Sequence, residues 1–198
     1  MRIVVATGNK GKLAELTSLL CPMGVEIKSL DDYPDIPEVV EDGATFTENA
    51  VKKARVVAEA SGEMALADDS GLEVDVLGGA PGVFSARFAG GDKDDRANNQ
   101  KLIRLLEGVP PEKRGAQFKC VVALALPGGR VFTTEGICRG VIGERSRGQG
   151  GFGYDPLFVL PDLGKTFAEL EMETKNAISH RGKAFAMIRE VIAGLMGQ

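Results

Sequence analysis

Histidine is almost missing from this chain: one residue in 198. That excludes a histidine-based zinc pattern. One histidine would allow a Ser-His-Asp triad, but no nucleophile elbow supports one. Cysteine is scarce too. Cys21, Cys120 and Cys138 are odd in number and form no C-x-x-C pair. Each sits in or near an apolar run, so buried thiols are expected rather than disulfides or metal ligands, which suits a reducing compartment. No segment approaches about 18 consecutive apolar residues, and the start "MRIVVATGN" has an apolar run too short for a signal peptide. A soluble, cytoplasmic protein with no membrane partner is expected. Basic charge is not in excess, with 24 Lys and Arg against 28 Asp and Glu and a net charge of -4. Nothing global therefore points to nucleic acid as a partner, and an anionic ligand must be met by local cations, backbone N–H groups or a metal.

What is present is an ordinary globular composition, 43% hydrophobic and 26% charged, in a length that fits one domain or two closely joined lobes. Glycine is the exception: 26 residues, about twice the typical share of roughly 7%. It clusters in loops, where backbone can approach a ligand closely.

A strand over Arg2–Ala6 leads into a helix from Lys10 to Leu20, with Leu13, Leu16, Leu19 and Leu20 on one face. "VEIKSL" reads as a second strand. Thr45 and Glu48 have capping-box spacing and open a helix to about Ala60, which Gly62 closes. "MALADDSG" reads as a short buried strand ending in two carboxylates and a turn, and "LEVDVL" as a separate half-exposed strand. "GGAPGVFSARFAGG" reads as a long glycine loop. A helix over Asp94–Glu107 follows, with Leu102, Ile103, Leu105 and Leu106 inward. "QFKCVVALAL", "PGGR" and "VFTTEGICRGVI" spell a hairpin, and "LFVL" another strand. The box Thr166–Glu169 opens a helix, and a last helix after Ser179 carries Ile188, Val191, Ile192 and Leu195 as its stripe. There are no repeats and no clean linker. Hairpins mixed with strand–helix units predict α/β with a mixed sheet rather than a doubly wound parallel one.

Five stretches, all at element ends or in loops, can carry chemistry. "TGNKGK" places turn N–H groups and a lysine at a helix start, an anion cradle whose spacing is not that of a P-loop. The bland alternative is a glycine turn with a solvated lysine. "LADDSG" puts paired carboxylates at a strand end, which suits a hard cation or a general base, or else a polar turn. The acidic loop "EVVEDG" can add a metal ligand, Glu38 or Glu41, or be a solvated face. On the next helix Lys52 or Lys53 can face inward, although adjacent lysines are ordinarily exposed. "GQGGFGYDP" offers flexible backbone, aromatic faces and an acid, which suit a purine ring, or a plain bulged loop. "KNAISHRGKAF" sets the one histidine beside Arg181 at a helix start, where cations are not favoured by the dipole and so point to an anionic guest. Together these are the parts for handling a Mg²⁺–nucleoside triphosphate.

With "ADDSGLEVDVLGGAPGVFSARFAG", "GGFGYDPLF" and "ISHRGKA" following "TGNKGK" in order and spacing, the chain resembles the inosine triphosphate pyrophosphatase family from end to end. The resemblance implies an elongated α/β fold with a mixed sheet flanked by helices, a single two-lobed domain over residues 1–198 with a central cleft, and a homodimer. It implies Mg²⁺-dependent hydrolysis of non-standard purine triphosphates (ITP, dITP, XTP) to monophosphate and pyrophosphate. On this resemblance Thr7, Gly8, Asn9, Lys10, Gly11 and Lys12 cradle the triphosphate. Asp69 is the base and, with Glu41, a metal ligand, with Asp68 beside it; Lys53 lies near the phosphates, and Ser70 contacts substrate. Phe152, Gly153, Tyr154 and Asp155 hold the base, Phe152 by stacking, while Lys175, His180 and Arg181 read it. A Maf-like pyrophosphatase with another base preference and a non-catalytic nucleotide-binding module are the alternatives, the second disfavoured by the intact Asp68–Asp69 pair.

Overall fold

The computed structural model of the chain describes residues 1–91 and 93–197. Among the described residues seven strands form one sheet, in the order β2-β1-β3-β4-β5-β6-β7. They are β1 Arg2–Val5, β2 Glu26–Ser29, β3 Met64–Val74, β4 Gly115–Ala125, β5 Val131–Ile142, β6 Phe158–Leu160 and β7 Lys165–Thr166. β1 pairs parallel with β2 and β3, whereas β6 pairs antiparallel with β5 and β7, so the sheet is mixed. The helices are α1 Lys10–Leu20, α2 Phe46–Ser61, α3 Asp95–Leu105, α4 Met172–Ile178 and α5 His180–Met196. No helix among the described residues is long and apolar enough to cross a membrane.

The chain divides into two compact units. The first comprises Met1–Asp69, Cys120–Gly136 and Arg181–Gln198. After Arg2, β1 is an unbroken apolar run, as a strand paired on both edges and covered on both faces requires; Ile3, Val4 and Val5 are fully buried. Leu16 and Leu20 of α1 pack with Ile3, Val5, Leu66, Val122 and Leu124 of the strands and with Phe185, Ile188 and Ile192 of α5. Helix α2 starts at the Thr45–Glu48 capping box and ends at Gly62 in the left-handed conformation, as their residue types dictate.

The second unit comprises Ser70–Lys119 and Ile137–His180. Its core gathers Leu72, Val74, Leu102, Leu106, Phe118, Phe158 and Phe167. The ring of Phe118 lies 4.6 Å from that of Phe158 and 5.7 Å from that of Phe167. Arg114 is buried here and donates to the carbonyls of Val109 and Leu106, both at 2.9 Å, in the turn that follows α3.

Several expectations need correction. "MALADDSG" does not end in a turn: β3 runs through both aspartates to Val74, because each carboxylate finds partners on its own face of the strand. The glycine loop after it contains a 3-10 helix, Gly82–Arg87. Leu105 is exposed, since the stripe of α3 is carried by Leu102 and Leu106, four residues apart, with Ile103 partly buried beside them. The Thr166–Glu169 box is formed, but caps only the 3-10 turn Phe167–Glu169; α4 begins at Met172. Cys21 is exposed, while Cys120 and Cys138 are buried; Cys21 opens a 3-10 turn with Pro22, beyond the buried face of α1.

Candidate active site

The first unit assembles most of the charged candidates. Val5 ends β1, and Thr7 and Asn9 shape the turn that follows. The Thr7 hydroxyl accepts the Asn9 N–H at 3.2 Å, and the Asn9 side chain accepts the Lys12 N–H at 3.0 Å, capping α1. The N–H groups of Lys10 and Gly11, at the first two positions of α1, have no intrahelical acceptor. Gly8, Asn9 and Lys10 are exposed, so this helix start is open to an anion.

Lys12 bends back onto Asp68, Nζ to Oδ2 at 2.9 Å. The same Oδ2 lies 3.4 Å from Nε of Arg181, whose Nη1 grips Glu15 in a buried pair. Asp68, Arg181 and Glu15 are each more than nine-tenths buried. Asp69, the next residue in β3, accepts from Nδ2 of Asn49 at 3.0 Å, and its Oδ1 lies 4.0 Å from Nζ of Lys53. Lys53 is turned inward: it pairs with Glu41 and donates to the carbonyl of Asp68 at 2.7 Å. Its neighbour Lys52 remains on the surface with Asp42. Of the two candidate glutamates, Glu41 is the one placed beside Lys53, whereas Glu38 is exposed.

Two adjacent aspartates thus sit in opposite electrostatic states. Burial pushes the Asp68 carboxyl up, but Lys12, Arg181 and Lys53 outweigh it and hold the group well below the ordinary carboxylate range. Burial also pushes Asp69 up; there Lys53, Lys12 and Asn49 oppose it only in part, Glu41 adds repulsion, and the net shift is upward. A carboxylate poised above its usual value is a better proton acceptor near neutrality. Burial lowers Lys53, yet Asp68, Asp69 and Glu41 together raise it above its ordinary value, so its charge is secure.

The chemistry of the donor set fits a hard cation. Glu41 and Asp69 both turn toward Lys53, and Mg²⁺ takes one or two carboxylates and completes its shell with water and phosphate oxygens. No group of three or more His, Cys, Asp or Glu able to hold a metal exists among the described residues.

The second unit carries the aromatic loop. Asp155 Oδ2 accepts the Phe152 N–H at 3.0 Å and pairs with Lys175 Nζ at 2.7 Å. Lys175 Nζ lies 5.1 Å from the centre of the half-buried Phe152 ring. Gly151 has φ +73°, and a Cβ there would fall 2.1 Å from Asp155 Oδ2, so only glycine lets Asp155 fold under the loop. Tyr154 is buried in the core, with its hydroxyl donating to the Ser85 carbonyl at 2.9 Å. His180 is 3% exposed and stacks 4.7 Å from Phe118; it is not a surface histidine. Ser70, the first residue of this unit, is partly buried.

Glu15 and Asn49 escaped the reading of the sequence. Asn49 was discernible: it lies four residues before Lys53 and so on the same face of α2. It also accepts the Gly43 N–H at 2.8 Å, tying the acidic loop to the carboxylate it serves. Glu15 carried a weaker signal, an acid next to the buried Leu16.

A mixed sheet flanked by helices, with Lys12, Lys53 and two buried carboxylates gathered beyond the end of β1 and along β3, defines an α/β protein. The chain belongs to the Ham1 family, whose model matches residues 3–191. It is 59% identical over 192 residues to a dITP/XTP pyrophosphatase of Desulforamulus reducens, covering 97% of this chain and 96% of that protein. It is 55% identical over 189 residues to one of Geobacter sulfurreducens, covering 96% and 95%. The solved structure of a HAM1 protein from Coxiella burnetii superposes with a TM-score of 0.89 at 41% identity, covering 98% of this chain and 99% of that one.

Proposed function

We propose that this chain hydrolyses the α–β phosphoanhydride of ITP, dITP and XTP to the monophosphate and pyrophosphate, and so clears deaminated purines from the nucleotide pool. The observation that carries the reading is the arrangement along β3: buried Asp68 paired with Lys12 and Arg181, and Asp69 held by Asn49 beside the inward-turned Lys53. High identity to proteins named dITP/XTP pyrophosphatase supports it.

In this reading the triphosphate takes the place of Asp68 as partner of Lys12, and the open N–H groups at the start of α1 bind its oxygens. Lys53 contributes fixed positive charge where the leaving pyrophosphate becomes more negative. Asp69 aligns a water with the anhydride and accepts its proton, while Asn49 fixes the carboxylate's orientation. Glu41 and Asp69 would hold Mg²⁺, which supplies charge neutralisation to the phosphate oxygens. Phe152 provides the stacking face for the purine. Donors from Lys175 and His180 pair with the C6 oxygen of hypoxanthine or xanthine and are mismatched by the amino group of adenine. Arg181 braces Asp68, and its part in reading the base follows from the resemblance, as does a homodimer; a cytoplasmic location is the expectation drawn from cysteine usage.

The test is to incubate the pure protein with Mg²⁺ and ITP, beside ATP, GTP and UTP, and to separate the products by ion exchange. IMP and pyrophosphate from ITP, with little product from the others, is the expected result. IDP and phosphate, or no turnover, overturns the reaction; faster hydrolysis of UTP overturns the purine assignment in favour of a Maf-like preference.

A further inference from the structure

Helix α3 carries none of the motifs that mark the site, yet it grips the aromatic loop of its own unit at both polar groups of one residue. Asp95 Oδ2 accepts the Gly153 N–H at 2.7 Å, and Asn99 Nδ2 donates to the Gly153 carbonyl at 2.8 Å. The two side chains are four residues apart, one helical turn, and so rise from the same face. Asn99 Nδ2 also donates to the Asp95 carbonyl at 2.8 Å, which fixes the amide's orientation.

The grip has a conformational purpose. Gly153 sits in the left-handed region at φ +61°, and nothing lies within 4 Å of the place a Cβ would occupy. The space is open, so the conformation is what selects glycine. A glycine loop that must present an aromatic ring is costly to order on binding, unless it is ordered beforehand. Here the ordering is done on both sides: Asp155 takes the Phe152 N–H, and Asp95 takes the next one along the chain. The N–H groups of Phe152 and Gly153 are therefore both committed to protein carboxylates, and the backbone that carries the Phe152 ring is tied down from two sides.

We propose that Asp95 and Asn99 are positioning residues for purine recognition. They lock Gly153 so that the Phe152 ring is in place before the nucleotide arrives, and they touch no part of it. This rests on the reading that the Phe152 loop holds the base.

The test compares Asp95→Ala, Asn99→Asp and Asp95→Asn with the parent chain. Asp95→Ala removes the acceptor, Asn99→Asp exchanges both donor hydrogens for acceptors at unchanged shape, and Asp95→Asn keeps an acceptor and should restore the parent behaviour. Hydrogen exchange without nucleotide should be about tenfold faster over residues 148–156 in the first two variants. Their affinity for IMP by calorimetry, and KM for ITP, should weaken about three- to tenfold, with kcat within about twofold. Unchanged exchange and IMP affinity, or a fall in kcat at constant KM, overturns the proposal. An inactive parent that still binds IMP overturns the catalytic reading alone, since IMP affinity reports the loop without turnover.

Discussion

Replacing each of the two adjacent aspartates by asparagine should separate folding from catalysis. Asp68 is fully buried, with Lys12 at 2.9 Å and Arg181 at 3.4 Å from the same oxygen. Asp68→Asn removes the carboxylate that a buried guanidinium and Lys12 share. Breaking a buried pair in this way costs about 3–5 kcal/mol, or roughly 6–20 °C in Tm for a chain of this size. Asp69 is the reverse case. Its carboxyl is raised, so burial already penalises the charge there; Asp69→Asn should change stability by less than about 1 kcal/mol and yet cut turnover by orders of magnitude. The pH dependence follows from the signs of the two shifts. Asp68 is depressed in the fold, so its contribution is present above the unfolded value of about 3.9 and lost as pH falls below it. Asp69 is raised, so its contribution is present below that value and lost as pH rises through the folded one. Thermal unfolding without metal between pH 3 and 8 should therefore show a shallower acid decline in Asp68→Asn than in the parent. Equal Tm losses in the two variants, or a steeper acid decline in Asp68→Asn, would refute this division of roles.

Other expectations are narrower. Lys53→Met should lower kcat about 10²-fold or more, by loss of one preorganised positive charge, with the fold retained by circular dichroism; steady-state kinetics with ITP decides it. Gly151→Ala forces a methyl onto Asp155 Oδ2 at a positive φ, so KM for ITP should rise while urea unfolding shows a loss of about 1–3 kcal/mol. Asn49→Ala deletes bonds to Asp69 and to the Gly43 N–H, and equilibrium unfolding should register a cost of about 1–3 kcal/mol. In the core of the first unit, Phe185→Ala should cost about 3–5 kcal/mol, measured the same way, with no change in the ITP-to-ATP ratio of the folded fraction.

What the sequence disclosed depended on whether the signal was local. Caps and apolar stripes are written within a few residues, and so α1, α2 and α5 were placed nearly to the residue. The continuation of β3 was not legible, because "DDSG" has turn chemistry in its own neighbourhood. Only partners remote in sequence, Lys12, Asn49 and Arg181, make a strand tolerable there. The Thr166–Glu169 box shows the opposite failure: the local signal is real and the box forms, but what it opens is three residues long. The same division holds at the site. Lysines and acids at element ends could be picked out as candidates, whereas the pairing of Arg181 with Glu15, 166 residues apart, is a tertiary fact with no local trace.

The role of the carboxylate pair follows from strand geometry. Successive residues of a strand face opposite sides, so two identical side chains at positions 68 and 69 necessarily enter different surroundings. One side offers Lys12 and Arg181 and fixes a charge; the other offers Asn49 and a lysine shared with Glu41, and leaves the charge expensive. No single environment could both favour and penalise the charge of the same side chain. A helix would have set the two acids about 100° apart on one surface, and a turn would have left both in water. The dipeptide therefore needs the strand as much as the strand needs the partners that let it continue.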